Sequence, residues 1–527
     1  MRGDTLLSNC RIHTMDEALP EAGGMVIRGG LVAFVGDARA AAAFAGPEAQ
    51  ALDLHGRTVI PGFNDNHLHA VILGDHALAP DLGGLDAPAI VDLLRERWSG
   101  APPDRILYAF NWDYPSCPAP RKELLDAAFP RNPVILSQFS GHGQWLNTAS
   151  LTALGIWRGS GDPSMGEVLR DSDGEPTGIV RDLGDTGLSR KRFARIFYDR
   201  EQREERLDIA LAEFRRLGLT SVQDNTWFPQ PLASLARYRM DGRLTARFSC
   251  WPMGRRRWTL PTMRLAFVIG RMVGLLPSDW ISLGPAKYFL DGAFSSRSAS
   301  LFEPWADGTP GDRGPEPQSQ RVALERLARR GFRGTFHAIG DRAVALFLDD
   351  FTLAAGKYPH ITEQRFRIEH AQLVRRQDIA RIKELGICIA AQPSALGSPG
   401  KDMRLLGRER ALAAYPYRSF LDAGVPLSFG SDIPGEATVD PLLHIHYAVN
   451  REGDEAITVM EALRCYTRGS AYAEFMEGRK GFLAPGMLAD FVLLSEDPLT
   501  VPPASLRDIR VLQTWVDGNC VYRREEA

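Results

Sequence analysis

Two histidines, His67 and His69, close the stretch Val59-Ile60-Pro61-Gly62-Phe63-Asn64-Asp65-Asn66-His67-Leu68-His69-Ala70. In extended backbone, residues two apart share a face, so both imidazoles point the same way. Paired imidazole nitrogens suit a borderline divalent cation such as zinc once further ligands arrive from elsewhere in the chain. The pair alone is a common surface accident, and its meaning depends on what answers it. Four residues do. Lys287 lies in Ala286-Lys287-Tyr288-Phe289-Leu290-Asp291-Gly292, and His337 ends Gly334-Thr335-Phe336-His337. His370 ends Arg365-Phe366-Arg367-Ile368-Glu369-His370, and Asp432 ends Pro426-Leu427-Ser428-Phe429-Gly430-Ser431-Asp432. Each has an ordinary reading by itself: a hydrogen-bonded histidine, a snorkelling lysine, a turn aspartate before Ile433-Pro434. Chance would rarely place all six where strand-like runs end.

The elements that must carry these residues follow a regular rhythm. From about residue 200, helical stretches such as Glu204 to Leu217 alternate with apolar runs at 220–224, 247–251, 281–291, 334–337, 365–370, 387–392 and 426–432. With the run from Val59 there are eight. Eight strands separated by helices predict a (β/α)8 barrel of the TIM type, an α/β fold whose chemistry sits at the strand C-terminal ends. A doubly wound open sheet is the competitor, but no Gly-x-Gly-x-x-Gly opens a helix after the first strand. Residues from about 75 to 190, rich in proline and with short helical stretches such as Ile90 to Trp98, read as an insertion after strand 1.

Both termini read as β-hairpins. Met25 to Arg28 and Leu31 to Gly36 flank Gly29-Gly30, and Thr514 to Val516 and Asn519 to Tyr522 flank Asp517-Gly518. Neither end has enough strands to bury its own apolar face, so together they predict one small β-sandwich. The expected division is 1–58 and 479–527 for the sandwich and 59–478 for the barrel.

With 527 residues, 44% of them hydrophobic, the chain can bury a large core without staples. Its six cysteines, Cys10, Cys117, Cys250, Cys388, Cys465 and Cys520, show no Cys-x-x-Cys spacing and read as scattered thiols in a reducing compartment. A net charge of -3 with interspersed signs gives no footprint for nucleic acid, and Arg255-Arg256-Arg257 reads as a solvated turn. Met1-Arg2-Gly3-Asp4 passes directly into strand-like sequence, and no apolar run reaches the ~18 residues of a membrane span. A soluble cytoplasmic protein is expected, and a homodimer is allowed.

The strand-end residues come with longer words. These are Ser140-Gly141-His142 with Trp145-Leu146-Asn147, Glu175-Pro176-Thr177-Gly178, Asp291-Gly292, and His337-Ala338-Ile339-Gly340-Asp341-Arg342-Ala343-Val344. Arg367-Ile368-Glu369-His370-Ala371-Gln372 and Gly430-Ser431-Asp432 follow, then Pro485-Gly486-Met487-Leu488-Ala489-Asp490-Phe491-Val492 and Val516-Asp517-Gly518. With Pro61 to His69, this set resembles the amidohydrolase superfamily. In order and spacing it is similar to the amidohydrolase-3, or YtcJ-like, branch, which includes N-substituted formamide deformylases. The resemblance covers nearly the whole chain. It departs at Asn64-Asp65-Asn66, where the family often has Ile-Asp-Ser, and at Ile179-Val180-Arg181-Asp182, where many relatives carry a glutamate.

The resemblance implies one or two divalent metals, most often zinc, with His67, His69 and Asp432 on the more buried ion and His337 and His370 on the second. An ammonium has no lone pair to offer. Lys287 would therefore serve as a neutral amine that adds carbon dioxide, giving a carbamate that bridges two metals; left unmodified, it goes with a single ion. The implied reaction is hydrolysis of a non-peptide carbon–nitrogen bond in a small-molecule amide or N-formyl or N-acyl amine. Metal-activated water attacks, with Asp432 as general base and then acid. His142 is the expected donor to the developing oxyanion. Trp145, with Trp112 and Phe294, is expected to line an apolar pocket, with Asp291 on the substrate side and Arg297, in Ser295-Ser296-Arg297, facing a carboxylate. Two alternatives stand beside this reading. One is a deaminase of a heterocyclic amidine, which usually needs one metal; the other is a catalytically silent barrel with a binding or regulatory role.

Overall fold

The computed structural model describes residues 3–525 apart from 115, 139–142, 163–166, 182–199, 228–229, 255–258, 273–278, 296, 312–319, 434 and 437. Ser140, Gly141, His142, Asp182, Arg255 to Arg257 and Ser296 therefore lie outside the described residues. The chain divides into two compact units, one of residues 1–70 and 210–527 and the other of residues 71–209.

Eight parallel strands organise the first unit: β1 (Phe63–Leu68), β2 (Leu219–Trp227), β3 (Arg247–Pro252), β4 (Ala286–Phe289), β5 (Gly334–Ala338), β6 (Arg367–His370), β7 (Cys388–Ala391) and β8 (Leu427–Phe429). They run in two sheets. β1, β2 and β3 are neighbours, extended by the short strand Ile281–Leu283, and β4 to β8 pair in chain order. A single parallel bridge, Met253 to Lys287, links the two runs on one side. On the other, the Asp432 N–H donates to the His67 carbonyl at 2.6 Å and the His69 N–H to the Ile433 carbonyl at 3.0 Å. This is a TIM-barrel-like α/β arrangement. Every residue of β1, β3, β5, β6, β7 and β8 is buried. Strands covered on both faces normally read as apolar runs, so the buried Asn64, Asp65, Asn66, Thr335, Arg367 and Glu369 need partners.

Both termini build the sheets beside this run. One sheet has the order Leu31–Gly36, Gly24–Arg28, Thr5–Ser8, Gln50–Asp53. In the other, Phe491–Leu494 pairs antiparallel with Thr58–Pro61 and so joins the two ends of the chain. Leu7, Met25, Val59, Phe491 and Trp515 belong to one core shared by both sheets. The two hairpins turn on Gly29 and Gly30 (φ 59° and 82°) and on Asp517 and Gly518 (φ 55° and 69°). Two consecutive left-handed residues define the type I′ turn that matches strand twist.

The structure departs from the sequence reading at Gly62. The run from Val59 to His69 is not one strand: Thr58–Pro61 lies in the terminal sheet and β1 starts at Phe63. The chain changes sheets where the Gly62 N–H donates to the Asp490 carbonyl (3.0 Å) and the Phe63 N–H to the Gly218 carbonyl (3.1 Å). A Cβ at residue 62 would come within 2.2 Å of the Thr220 side chain, so only glycine fits this crossing.

The unit of residues 71–209 has its own sheet, which the sequence reading did not anticipate. Its order is Glu167–Arg170, Pro176–Arg181, Gly143–Leu146, Val134–Gln138, Leu107–Trp112. The strands are short and fenced by proline, which hid their alternation. Leu94, Leu107, Trp112, Leu136 and Trp145 fill its core. The helix Ala87–Trp98 packs on it, started by Asp86, whose side chain accepts the Ala89 N–H at 2.9 Å, with proline in the first turn. Among the described residues no helix is long and apolar enough to cross a membrane.

Candidate metal centre

The site is assembled by a stitch between β1 and the loop after β8. Both Asp65 carboxylate oxygens accept the Ser431 N–H at 3.0 Å, and one also accepts the His67 N–H at 3.0 Å. Burial pushes the Asp65 carboxyl up to about 7. Gly430 makes the close approach possible, because a Cβ there would sit 2.4 Å from Asn66 Oδ1 and 2.6 Å from the His67 nitrogen. The outcome is convergence: Nε2 of His67 and Nε2 of His69 each lie 3.4 Å from Asp432 Oδ1. The ligand atoms of His67, His69 and Asp432 all fall within 4.8 Å of one another.

The other residues singled out from the sequence surround this trio to different degrees. Lys287 is 1% exposed, with Nζ 3.3 Å from His67 Nε2. Burial pulls its ammonium down to about 8, against the opposing pull of Glu369 and Asp432. His370 Nδ1 is 3.9 Å from Asp432 Oδ2, and its ring centroid is 4.3 Å from that of His337. His370 is buried, its Nε2 has no hydrogen-bond partner among the described residues, and burial lowers its pKa to about 3. His337 Nε2 sits 3.1 Å from the Gly292 carbonyl, which can only accept, so this nitrogen carries the proton. Burial alone would raise the Asp432 carboxyl, but His67, His69 and His370 hold it well below the usual carboxylate range.

The donor set fits a divalent metal. Neutral imidazoles and an ionised carboxylate are the ligands such ions take. Backbone strain is concentrated here too: His370, Ala371 and Asp432 have φ of 75°, 45° and 52°. Non-glycine residues held there cost about 1–3 kcal/mol each and persist where the surroundings over-determine them.

The residues expected on the substrate side have the following neighbours. The Asp291 carboxylate accepts N–H groups of Ser300 (3.0 Å), Ile339 (3.0 Å) and Gly340 (2.8 Å), and so anchors the loops around His337. Trp145 is fully buried and meets Trp112 edge-on at 6.3 Å in the core of residues 71–209. Phe294 packs edge-on against Trp305 at 6.0 Å. Arg297 is exposed and pairs with Asp307 at 2.5 Å.

A second layer of residues escaped the sequence reading. Glu369 Oε2 is 2.6 Å from His67 Nδ1, and the same carboxylate accepts from the Thr335 hydroxyl and from Arg367 at 2.9 and 3.2 Å. Arg367 also donates to Gln223 Oε1 (2.5 Å) and the Asn66 carbonyl (2.9 Å), and its guanidinium lies 4.6 Å from the Trp251 ring centroid. Asp224 accepts the Ala70 N–H at 2.8 Å, directly after His69. The signal was present: Arg367 and Glu369 alternate with apolar residues in a short strand, placing two charges on one face.

A TIM-barrel-like fold with histidine and carboxylate donors gathered where parallel strands end defines a metal-dependent hydrolase. The chain belongs to the amidohydrolase family, whose family model (Amidohydro_3) matches residues 50–522, and it is a hydrolase of carbon–nitrogen bonds. It is similar to the amidohydrolase-type protein YtcJ of Bacillus subtilis (strain 168), at 29% identity over 97% of this chain and 98% of that protein. It is also similar to the N-substituted formamide deformylase of Arthrobacter pascens, at 27% identity over 99% and 98%. A crystal structure of an uncharacterized metal-dependent hydrolase from Pyrococcus horikoshii OT3 superposes with a TM-score of 0.76 at 26% identity, covering 95% of this chain and 99% of that one.

Proposed function

We propose that the protein hydrolyses the carbon–nitrogen bond of a small-molecule amide, an N-formyl or N-acyl amine, at a zinc centre. The observation that carries this is the convergence of the His67 and His69 Nε2 atoms on Asp432 Oδ1, each at 3.4 Å. The similarity to a deformylase over nearly the full chain supports the substrate class. His67, His69 and Asp432 would hold a first ion and His337 and His370 a second. Lys287, drawn toward its neutral amine, would add carbon dioxide at Nζ with release of a proton, and the carbamate would offer oxygen donors to the same centre.

When bound, a divalent ion supplies Lewis acidity that polarises a carbonyl and acidifies water. The chain's own residues do the rest. Asp432 takes a proton from the attacking water and returns it to the departing nitrogen, since an amide anion is a poor leaving group. His142 donates to the developing oxyanion. Asp291 and Trp145 stand on the substrate side in this reading, and Asp291 also holds the backbone of Ser300, Ile339 and Gly340. Arg297, exposed beside Asp307, is the residue through which a substrate carboxylate would be held.

The same reading has the eight strands close as a (β/α)8 barrel, with residues 59–478 as barrel and both termini as a β-sandwich. The free thiols of all six cysteines support a cytoplasmic setting. No nucleic-acid or membrane partner belongs to the reading, and a homodimer is compatible with it. The test is a screen of N-formyl, N-acyl and cyclic amides against zinc-loaded protein, with ammonia release from amidine heterocycles followed in parallel. Turnover of N-formyl or N-acyl amines supports the proposal; ammonia release without it replaces the proposal with a deaminase.

A further inference from the structure

We infer that Glu369 is a positioning residue that locks His67 in the tautomer protonated at Nδ1, so that Nε2 presents its lone pair to the metal. The inference rests on the metal-centre reading and concerns how this chain prepares one ligand.

The argument is one of donors and acceptors. Glu369 is fully buried. One carboxylate oxygen accepts from the Thr335 hydroxyl and from Arg367 Nε, and the other accepts from Arg367 Nη2 at 3.2 Å. A guanidinium can only donate, and two of its N–H groups on one carboxylate keep that carboxylate ionised. An ionised carboxylate can only accept, so the 2.6 Å contact with His67 Nδ1 requires the proton on Nδ1. The far side of the ring agrees, because Nε2 faces Lys287 Nζ, a donor, at 3.3 Å. Arg367 is fixed in turn by Gln223, by the Asn66 carbonyl next to His67, and by the face of Trp251. A carboxylate behind a ligating imidazole fixes tautomer and ring orientation and raises basicity.

Glu369→Gln keeps the shape and reverses the logic. The two donors on Oε1 hold the amide oxygen, leaving the amide NH2 toward His67 Nδ1. That nitrogen must then accept, which moves the proton to Nε2 and removes the lone pair the metal needs.

The test uses full-length, metal-free protein labelled with 15N-histidine, with the His67 signals assigned by their loss in His67→Asn. The wild type is expected to show His67 protonated at Nδ1, and Glu369→Gln at Nε2. Zinc affinity, measured by competition with a chelator, is expected to fall about 10- to 100-fold in Glu369→Gln. Should Glu369→Gln not fold, Glu369→Ala removes the acceptor from His67 Nδ1 and is expected to weaken zinc binding with a mixed His67 tautomer. His67 protonated at Nε2 in the wild type, or unchanged zinc affinity in the folded variants, would overturn the lock. A wild type that binds no zinc would overturn the metal-centre reading itself, and is told apart because the tautomer is read without metal.

Discussion

At the N-terminal ends of the parallel strands, Arg247 opens β3 with both edges of its guanidinium in use. It donates to Asp490 at 2.6 and 2.9 Å and to the Asp279 carbonyl at 3.0 Å, and lies 4.6 Å from the Trp280 ring centroid. Asn64, near the start of β1, donates to Glu474 at 2.7 Å, and Lys480 pairs with the same carboxylate at 2.8 Å. At the opposite ends, Lys287 faces an imidazole, His370 Nε2 has no partner among the described residues, and His370, Ala371 and Asp432 carry positive φ. Both ends bury charge; at the first, Arg247 pairs with Asp490 and Lys480 with Glu474, while at the second His370 Nε2 is unpaired among the described residues. Buried polar groups are paired unless they serve another purpose, so the unsatisfied end is where the fold holds bonding capacity for something it does not itself contain. The paired end, which clasps the terminal sheets through Asp490, supplies stability.

That contrast is broken most directly by the largest effects. His67→Ala and His337→Ala should each lose metal, measured by elemental analysis, and with it activity. Asp432→Asn should keep most metal while kcat falls about 10²- to 10⁴-fold, the range of a positioned acid–base group. A fully active Asp432→Asn would show that the general base lies elsewhere. At the paired end, Asp490→Ala removes the two-point carboxylate from buried Arg247, leaving Asp517 at 3.4 Å, and should cost about 3 kcal/mol of stability in urea unfolding, with kcat per folded molecule unchanged. Lost turnover in a stable Asp490→Ala would erase the distinction between the two ends.

Lys287→Met sharpens it. Burial lowers the lysine from its ordinary 10.5 to about 8, so at neutral pH the folded state carries a cation held against its preference. Methionine should raise the stability of metal-free protein by about 2 kcal/mol while activity disappears. Rescue of Lys287→Ala by short-chain carboxylic acids would support the carbamate, and one bound metal without rescue would speak against it.

The candidate trio of His67, His69 and Asp432 was legible in the sequence because these residue types stand at the ends of recognisable runs. His67, His69 and Asp432 meet as the spacing suggested, and their approach depends on Gly430, whose missing Cβ leaves room for Asn66. The strand break at Gly62 was hidden because Val59 to Phe63 is apolar throughout, and hydrophobicity does not say which of two sheets a residue pairs with. Glu369 was quoted within its word and given no role, since its partners Thr335 and His67 lie far away in sequence. Trp145, read as a pocket wall, is buried against Trp112, and in sequence a buried aromatic and a substrate-facing aromatic look alike.

His444 provides the smallest and most controlled check. Like His370 it is buried, yet both its nitrogens are engaged, Nδ1 with the Tyr466 hydroxyl and Nε2 with the Thr438 carbonyl at 3.1 Å. Burial lowers its pKa from 6.5 to about 3. Between those values the unfolded chain binds a proton that the folded chain refuses, so the contribution of this residue is fully present above 6.5 and is lost as pH falls toward 3. The loss should reach about 1.4 kcal/mol by about pH 5.5. Urea unfolding of metal-free protein at pH 7 and 5.5 should show a decrement smaller by about that amount in His444→Gln than in the wild type, with kcat at pH 7 preserved. A His444→Gln variant that loses metal instead would mean that this satisfied histidine belongs with the unsatisfied ones, and that partner counting does not separate ligand from scaffold.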